Sequence, residues 1–339
     1  MRVWFNRTFS SVHAAISLIR EADGADEFHL IYSNTNPQAI AGQAAHQFNV
    51  EPTGLDDAAY VDWCLEFCKT QRVDVFWPGR AAALLSSQTS RFADIGTRIV
   101  SVATRAMLDL LHDKARFYAS VVLPDAPPAQ SLEFRNTAEF DAAFAQLRPL
   151  HATLCVKPST SVYGLGFSIL DEARNTAQLL MEGLPYRVSL AEFRAGLVAQ
   201  GECRPMLLME YLDGQEYSVD CIADHGVLKC AIPRRKPVSS GSGQLIDLRA
   251  DVLNATAKLT SDYGLNAVFN VQFREQEGAL RILEINPRMS GGIGMACVAG
   301  PKLPYLALCG FVHGYDQVVI PAVRDAIRVG ELACAVELR

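Results

Sequence analysis

Two neighbouring runs in the last third of the chain limit its folding more than any other stretch. In Asn266-Ala-Val-Phe-Asn-Val-Gln-Phe-Arg274, the apolar Ala267, Phe269, Val271 and Phe273 alternate with more polar positions. That period of two is the mark of a strand with one buried face. The segment Glu275 to Ala279 follows as a turn, and Leu280 to Asn286 then reads as a returning antiparallel strand. It closes with Leu283-Glu-Ile-Asn-Pro-Arg288. Side chains alternate faces along a strand, so Glu284 and Asn286 share one face while Leu283 and Ile285 point into the core. Pro287 ends the ladder by removing a backbone donor. With Gly278 near the turn centre, Gln272 is expected opposite Glu284, which brings three side-chain oxygens to one face. The plainer alternative is a buried strand end with a polar rim.

A carboxylate and amide oxygens on a rigid hairpin suit Mg²⁺, which takes a few hard oxygen ligands from protein and the rest from water and phosphate. Arg288 adds a planar cationic fork suited to phosphate or carboxylate. Upstream, Leu154-Cys-Val-Lys157 reads as a strand entering the small-residue loop Ser159 to Gly166, which includes Gly164. Glycines let backbone amides approach a phosphate, and a lysine meets it as a point charge. An ordinary turn would look the same. Met206 to Glu210 is an apolar strand that passes through Tyr211, Leu212, Asp213 and Gly214 into a second strand carrying Glu216 and Asp220. Alone, this is a hairpin with solvated acids. In Leu111-His-Asp-Lys114, Asp113 is placed to cap a helix that begins at Lys114.

Taken in order, these segments resemble the ATP-grasp superfamily. Asn270-Val-Gln-Phe followed by Glu284-Ile-Asn-Pro-Arg288 is most similar to the carbamoyl-phosphate-synthetase branch. The resemblance runs from about Asp113 to Arg288, and the N-terminal region fits it as well. It implies an α/β chain with α+β lobes, an ATP-grasp fold behind an N-terminal Rossmann-like pre-ATP-grasp domain. The expected segments are 1–111 for that domain, 112–212 for a linker helix and small lobe, and 213–339 for the large lobe with the metal site and C-terminal strands. The implied cofactors are ATP and Mg²⁺, with Mn²⁺ as a substitute. Lys114, Lys157, Ser159, Gly164, Gly166, Glu210, Tyr211, Leu212, Glu216 and Arg235 are the implied nucleotide contacts. Gln272, Glu284 and Asn286 are the implied metal ligands, and Arg288 and Lys157 the implied catalytic cations. Gln272 stands where many members carry an acid, whereas the carbamoyl-phosphate-type branch also uses glutamine there.

The implied chemistry is attack of a carboxylate on the γ-phosphate, giving an acyl phosphate and ADP, followed by displacement of phosphate by an amine. Carboxylase or kinase-like phosphoryl transfer on the same fold, or a catalytically silent nucleotide-binding scaffold, are the other readings. Arg234-Arg-Lys236, leaving a strand into the Ser/Gly loop 239–243, could meet triphosphate and a substrate carboxylate, or be a solvated basic loop. Ser290 to Gly294 could bind an anion at a helix start or serve only as a link.

Length and composition agree with this. A chain of 339 residues with 50% hydrophobic content can bury a large core in two or three lobes. A net charge of −6 and a pI near 5.7 argue against nucleic-acid or lipid-surface binding. No run approaches the length of a membrane span, and Met1 to Arg7 reads as a short strand rather than a signal peptide. Nine scattered cysteines without Cys-x-x-Cys spacing read as reduced thiols of a cytoplasmic protein, mostly filling the core. The expected partners are a small carboxylate and an amine, without nucleic acid or membrane, and with a homodimer as the oligomeric form to test. Strand-like Val3–Phe5, His29–Tyr32 and Val73–Trp77 alternate with helical stretches, which predicts a parallel sheet with crossover helices.

If the loop from Ser159 to Gly166 covers nucleotide phosphates, an ATP analogue should slow amide exchange across it. Hydrogen-exchange mass spectrometry of that peptide checks this, and identical protection with and without nucleotide rules the cover out.

Overall fold

The computed structural model describes residues 1–8, 11–160, 165–237 and 243–337. The chain divides into two compact units. One comprises Met1–Asp109, Gln215–Gln272 and Ile285–Arg339, and the other Leu110–Gly214 and Phe273–Glu284.

The first unit opens with β1 (Arg2–Phe5), β2 (His29–Asn34), β3 (Gln47–Val50), β4 (Val75–Trp77) and β5 (Arg98–Ile99). All are parallel, in the order β3-β2-β1-β4-β5. Both faces of this sheet are covered, so its strands read as continuous apolar runs. Val3 and Phe5 enter one buried cluster while Trp4, between them, enters another with Ile31 and Phe76. The helix Ser11–Ala22 buries Val12, Ala15, Ile16 and Ile19, a spacing that lays one apolar stripe on the sheet.

The second unit carries β6 (Ser131–Asn136), β7 (Leu154–Pro158), β8 (Ser168–Asp171), β9 (Arg187–Ser189) and β10 (Glu202–Glu210), in the order β6-β10-β7-β8-β9. Its core gathers Phe134, Phe140, Leu154, Val156 and Leu208. Antiparallel pairing sets Lys157 opposite Leu207.

A third sheet holds β11 (Glu216–Asp224), β12 (Val227–Arg235), β13 (Gln244–Ile246), β14 (Ala267–Gln276), β15 (Ala279–Asn286) and β16 (Arg328–Val329), in the order β15-β14-β11-β12-β13-β16. Ile222, Ile232, Val268 and Leu303 share a cluster with Val3 and Ile16, so residues 1–109 and the C-terminal third have one core. Glu277 and Gly278 both have positive φ, 51° and 80°. This is the backbone of a two-residue hairpin turn, matching the predicted connection.

Strict alternation in β15 is not kept. Leu280 and Ile282 are buried and then Ile285, while Leu283 and Glu284 are both only partly buried. Burial along β15 therefore does not follow the expected period of two. Leu283, expected in the core, is not there. Asn270, expected on a polar face, is fully buried.

No helix among the described residues is long and apolar enough to cross a membrane. Six cysteines are buried, Cys203 and Cys309 are partly buried, and Cys334 is exposed. Burial pushes the Cys68, Cys155 and Cys297 thiols up to about 12 and Cys230 to about 11. The reactive species is the thiolate, so these stay inert at neutral pH. Ellman titration of the native chain should therefore show one fast thiol, that of Cys334, and nine after denaturation; rapid loss of several native thiols would contradict the packing.

Candidate functional site

In the second unit, the helix Lys114–Ser120 begins where the sequence predicts. Asp113 caps it, its Oδ1 accepting from the backbone N–H of Ala115 at 3.1 Å and of Arg116 at 3.2 Å. The same oxygen accepts from Ser159 Oγ at 3.0 Å, and Lys114 N–H donates to the Ser159 carbonyl at 2.9 Å. The helix start is thereby tied to the residue just after β7, which carries Lys157.

Lys114 is 8% exposed, and its Nζ lies 3.4 Å from Glu284 Oε2. Lys157 Nζ donates to Tyr118 Oη at 2.8 Å, and that hydroxyl donates in turn to the Leu283 carbonyl at 2.8 Å. Burial raises the Tyr118 phenol pKa despite the nearby Lys157, so it remains a neutral donor. Burial also opposes charge on Lys157, but the Tyr118 oxygen and Glu284 outweigh it and hold the ammonium above its ordinary value. Two lysines distant in sequence are thus brought to residues 283–284. Tyr118 was given no role by the sequence reading. Its signal is faint: a tyrosine one helical turn beyond Lys114, on the same face.

Other predicted residues of this unit are occupied differently. Glu210 is 6% exposed, and one carboxylate oxygen accepts from Gln130 N–H at 3.4 Å while the other lies 3.7 Å from His151 Nδ1. Its backbone N–H reaches the Gln130 carbonyl, and the Tyr211 N–H the Thr153 carbonyl. The Tyr211 ring lies 5.7 Å from the Arg274 guanidinium, and Leu212 is buried. Ser159 is buried, and Gly166 has φ +82° beside Pro158. Gly164 lies outside the described residues.

In the first unit, Arg234 and Asp220 form an ion pair out of water, 2% and 0% exposed. Arg234 Nε donates to Asp220 Oδ2 at 2.9 Å. Its Nη2 donates to Ser218 Oγ at 3.1 Å and Ser290 Oγ at 2.9 Å, and Nη1 donates to Gln244. A Cβ on Gly292 would fall 2.4 Å from Nη1, so only glycine admits the guanidinium at that loop. Asn270 Nδ2 faces Ser218 Oγ, the Val219 carbonyl and Asp220 Oδ1 at 3.0–3.1 Å. Its amide oxygen is left to accept from Gln272 Nε2 at 3.4 Å. That order of donors turns the Gln272 oxygen away from the network as an acceptor. The amide orientations follow from the hydrogen-bond pattern.

The basic run is therefore not three equivalent cations. Arg234 points inward, Arg235 Nε lies 3.4 Å from Asp247 Oδ2, and Lys236 pairs with Glu216. Arg288 donates to the Met289 carbonyl at 3.1 Å and to Asn286 Oδ1 at 3.4 Å. Among the described residues no three His, Cys, Asp or Glu side chains gather as metal ligands. The oxygen donors expected at the hairpin are one carboxylate, Glu284, which pairs with Lys114, and the amide oxygens of Gln272 and Asn286, the latter accepting from Arg288. Such a hard, oxygen-only set fits Mg²⁺ with water and phosphate completing its shell, and does not suit zinc. Glu284 and Asn286 lie two residues apart on β15, and Gln272 is on β14 beside it in the sheet.

The profile of a family described as "ATP-grasp in the biosynthetic pathway with Ter operon" matches residues 202–335. The chain is 25% identical over 297 residues to a carbamoyl phosphate synthase arginine-specific large chain of Geobacillus stearothermophilus, covering 83% of this chain and 25% of that protein. It thus spans about a quarter of the length of the curated relatives it matches. The biotin carboxylase domain of the Hydrogenobacter thermophilus 2-oxoglutarate carboxylase superposes with a TM-score of 0.65 at 14% identity, over 97% of this chain and 72% of that one. An L-amino acid ligase from Bacillus licheniformis gives a TM-score of 0.64 at 12% identity, over 94% and 77%. The chain thus has the fold of these enzymes, its residues 202–335 match an ATP-grasp family, and the motifs stand in order from Asp113 to Arg288.

Proposed function

We propose that this chain is the catalytic unit of an ATP-dependent ligase that activates a carboxylate as an acyl phosphate for attack by an amine, releasing ADP and phosphate. The observation that carries this reading lies in the second unit. Lys114 reaches Glu284 directly, and Lys157 is held over Leu283 by Tyr118. Phosphoryl transfer asks little covalent chemistry of a protein and much positioning and charge neutralisation, which is what fixed cations beside a metal-binding acid supply. The Hydrogenobacter domain was crystallised with MgADP and bicarbonate, and the Bacillus protein is named an amino acid ligase. The first supports use of an adenine nucleotide with Mg²⁺, and the second a ligase reaction on an amino acid.

In this reading Lys114 and Lys157 bind phosphate oxygens, and Ser159, Gly164 and Gly166 offer backbone donors to them. Tyr211 and Leu212 border the adenine with Glu210, whose carboxylate is already engaged internally and so shapes the wall. Glu216 meets the ribose and Arg235 the triphosphate, each in competition with its present partner. Gln272, Glu284 and Asn286 would hold Mg²⁺, which neutralises phosphoryl charge when bound. Arg288 orients the acyl phosphate or the leaving phosphate with its planar fork.

Release of ADP in a screen of small carboxylates with and without amines, followed by mass spectrometry of products, tests the reaction. Amine-independent ADP release with a carboxylated product would replace the ligase by a carboxylase.

Tyr118→Phe keeps the ring but frees the Lys157 ammonium. Affinity for a non-hydrolysable ATP analogue with Mg²⁺ should fall by about 1.5 kcal/mol, roughly tenfold. Lys157→Ala should cost at least as much by calorimetry. Unchanged affinity in both would take Lys157 away from the phosphates.

Glu284→Gln keeps size and shape but removes a charge. ADP release should drop by at least about a hundredfold, while the thermal melt stays close to the parent because Glu284 is outside the core. Parental turnover in this variant would remove the metal assignment.

A further inference from the structure

The second unit holds a side chain that neither its core nor the ligase reading uses. Tyr186 has a φ of 58° and is 69% exposed. A residue with a Cβ is disfavoured in the left-handed region, and a turn that needs it is ordinarily filled by glycine or asparagine. Gly183, three residues earlier, is such a case, with a φ of 66°. Burial does not explain a tyrosine at 186, because most of its surface is in water. An exposed aromatic residue held in an unfavourable backbone conformation points to a role for the ring itself.

The local structure fixes that ring. Tyr186 immediately precedes β9, and its carbonyl accepts from Ile169 N–H at 2.7 Å. β8 and β9 then pair in parallel, with Ile169 opposite Arg187. This rung holds Tyr186 beside the start of β8, where its ring meets that of Phe167, centroids 6.5 Å apart at 55°. Phe167 follows Gly166, whose φ of 82° turns the chain against the end of β7. A Cβ there would lie 2.9 Å from Pro158 Cδ.

Phe167 meets Tyr211 in turn, at 6.4 Å and 35°. Beyond it, the Arg274 guanidinium lies 5.7 Å from the Tyr211 ring, and its Nε donates to the Gly214 carbonyl at 3.2 Å. Rings from three separate segments thus form a continuous row, at spacings typical of interacting aromatics. All of them lie within the second unit.

Tyr211, which borders the adenine in the ATP reading, is the inner end of this row, and Tyr186 is its outer end. A row of aromatic faces suits a planar heteroaromatic base, since stacking adds contact without requiring hydrogen bonds. A phosphate or a small carboxylate has no such face to offer.

We propose that Tyr186 is a base-stacking residue of the nucleotide site, extending the wall of Tyr211 and Leu212 outward through Phe167. The proposal rests on the ATP reading, to which it adds a contact outside the ordered motifs.

Calorimetry on the full chain, with a non-hydrolysable ATP analogue and with inorganic tripolyphosphate, each with Mg²⁺, tests it. Tyr186→Asn keeps a residue that tolerates the left-handed backbone but removes the ring. It should melt no lower than the parent, while its affinity for the ATP analogue falls about fivefold or more. Tripolyphosphate, which has no base, should bind the variant and the parent alike. Tyr186→Phe retains the ring and should keep parental affinity. Tyr186→Trp should change its fluorescence with the ATP analogue and not with tripolyphosphate, a response that a purely structural turn would not give. Should the asparagine variant melt early, that fluorescence decides. Parental affinity for the analogue in Tyr186→Asn, equal losses for analogue and tripolyphosphate, or a silent Tyr186→Trp overturns the proposal. Failure of the nucleotide reading shows separately, as a parent chain that does not bind the ATP analogue at all, and removes both.

Discussion

The buried pair of Arg234 and Asp220 is the constraint around which the first unit is arranged. Removing both charges from water is expensive, and their attraction repays it only if the remaining donors and acceptors are met. They are met by strands that must lie side by side. Ser218 stands opposite Arg234 in the β11–β12 register, Asn270 comes from β14 on the other side, and Ser290 comes from the loop after β15. A slip of one residue in any of these strands would turn a polar partner to the wrong face and leave a buried charge unmatched. The network therefore fixes the register of the strands that carry Gln272 and Asn286. Through Asn270 it also sets which way the Gln272 amide points.

The second unit handles charge differently. Its two lysines are point charges, each held in place by a neighbouring oxygen. Lys114 is positioned by the capped helix start and Glu284, and Lys157 by the Tyr118 hydroxyl, itself held by a backbone carbonyl. Each ammonium is a point charge with three donors, whereas Arg234 makes a hydrogen bond through every one of its nitrogens. The first arrangement suits phosphate binding, the second a structural frame.

Much of this was readable from local pattern. The strand over Ala267–Arg274, the turn at Glu277-Gly278 and the Asp113 cap depend on nearest neighbours in sequence, and each is found in the fold, although residues 267–271 are buried on both faces rather than one. The ordered motifs, which resemble the ATP-grasp superfamily, agree with the family match and the superposed structures. Two features escaped that logic. Leu283 is only partly buried, because burial depends on what packs over β15 and not on apolarity alone. The run Arg234-Arg235-Lys236 looked like three exposed cations, but strand alternation sends Arg234 inward to a carboxylate fourteen residues earlier in the chain.

By itself, the sequence determined the element types, the hairpin with its terminal Glu284 and Asn286, the helix capped at Asp113, and the likeness to ATP-grasp enzymes. All follow from periodicity, turn chemistry and residue order, which are local properties. Only the tertiary structure decided which charges are spent internally and which are left to meet a ligand. Arg234 and Arg7 are the same residue type, each just at or beyond the end of a strand. One is matched by Asp220 on the neighbouring strand. The other donates to a threonine hydroxyl and makes no ion pair among the described residues, while Glu51 accepts from Ser33, Tyr60 and a backbone amide. That distinction depends on which distant segment lies alongside, which no local pattern encodes.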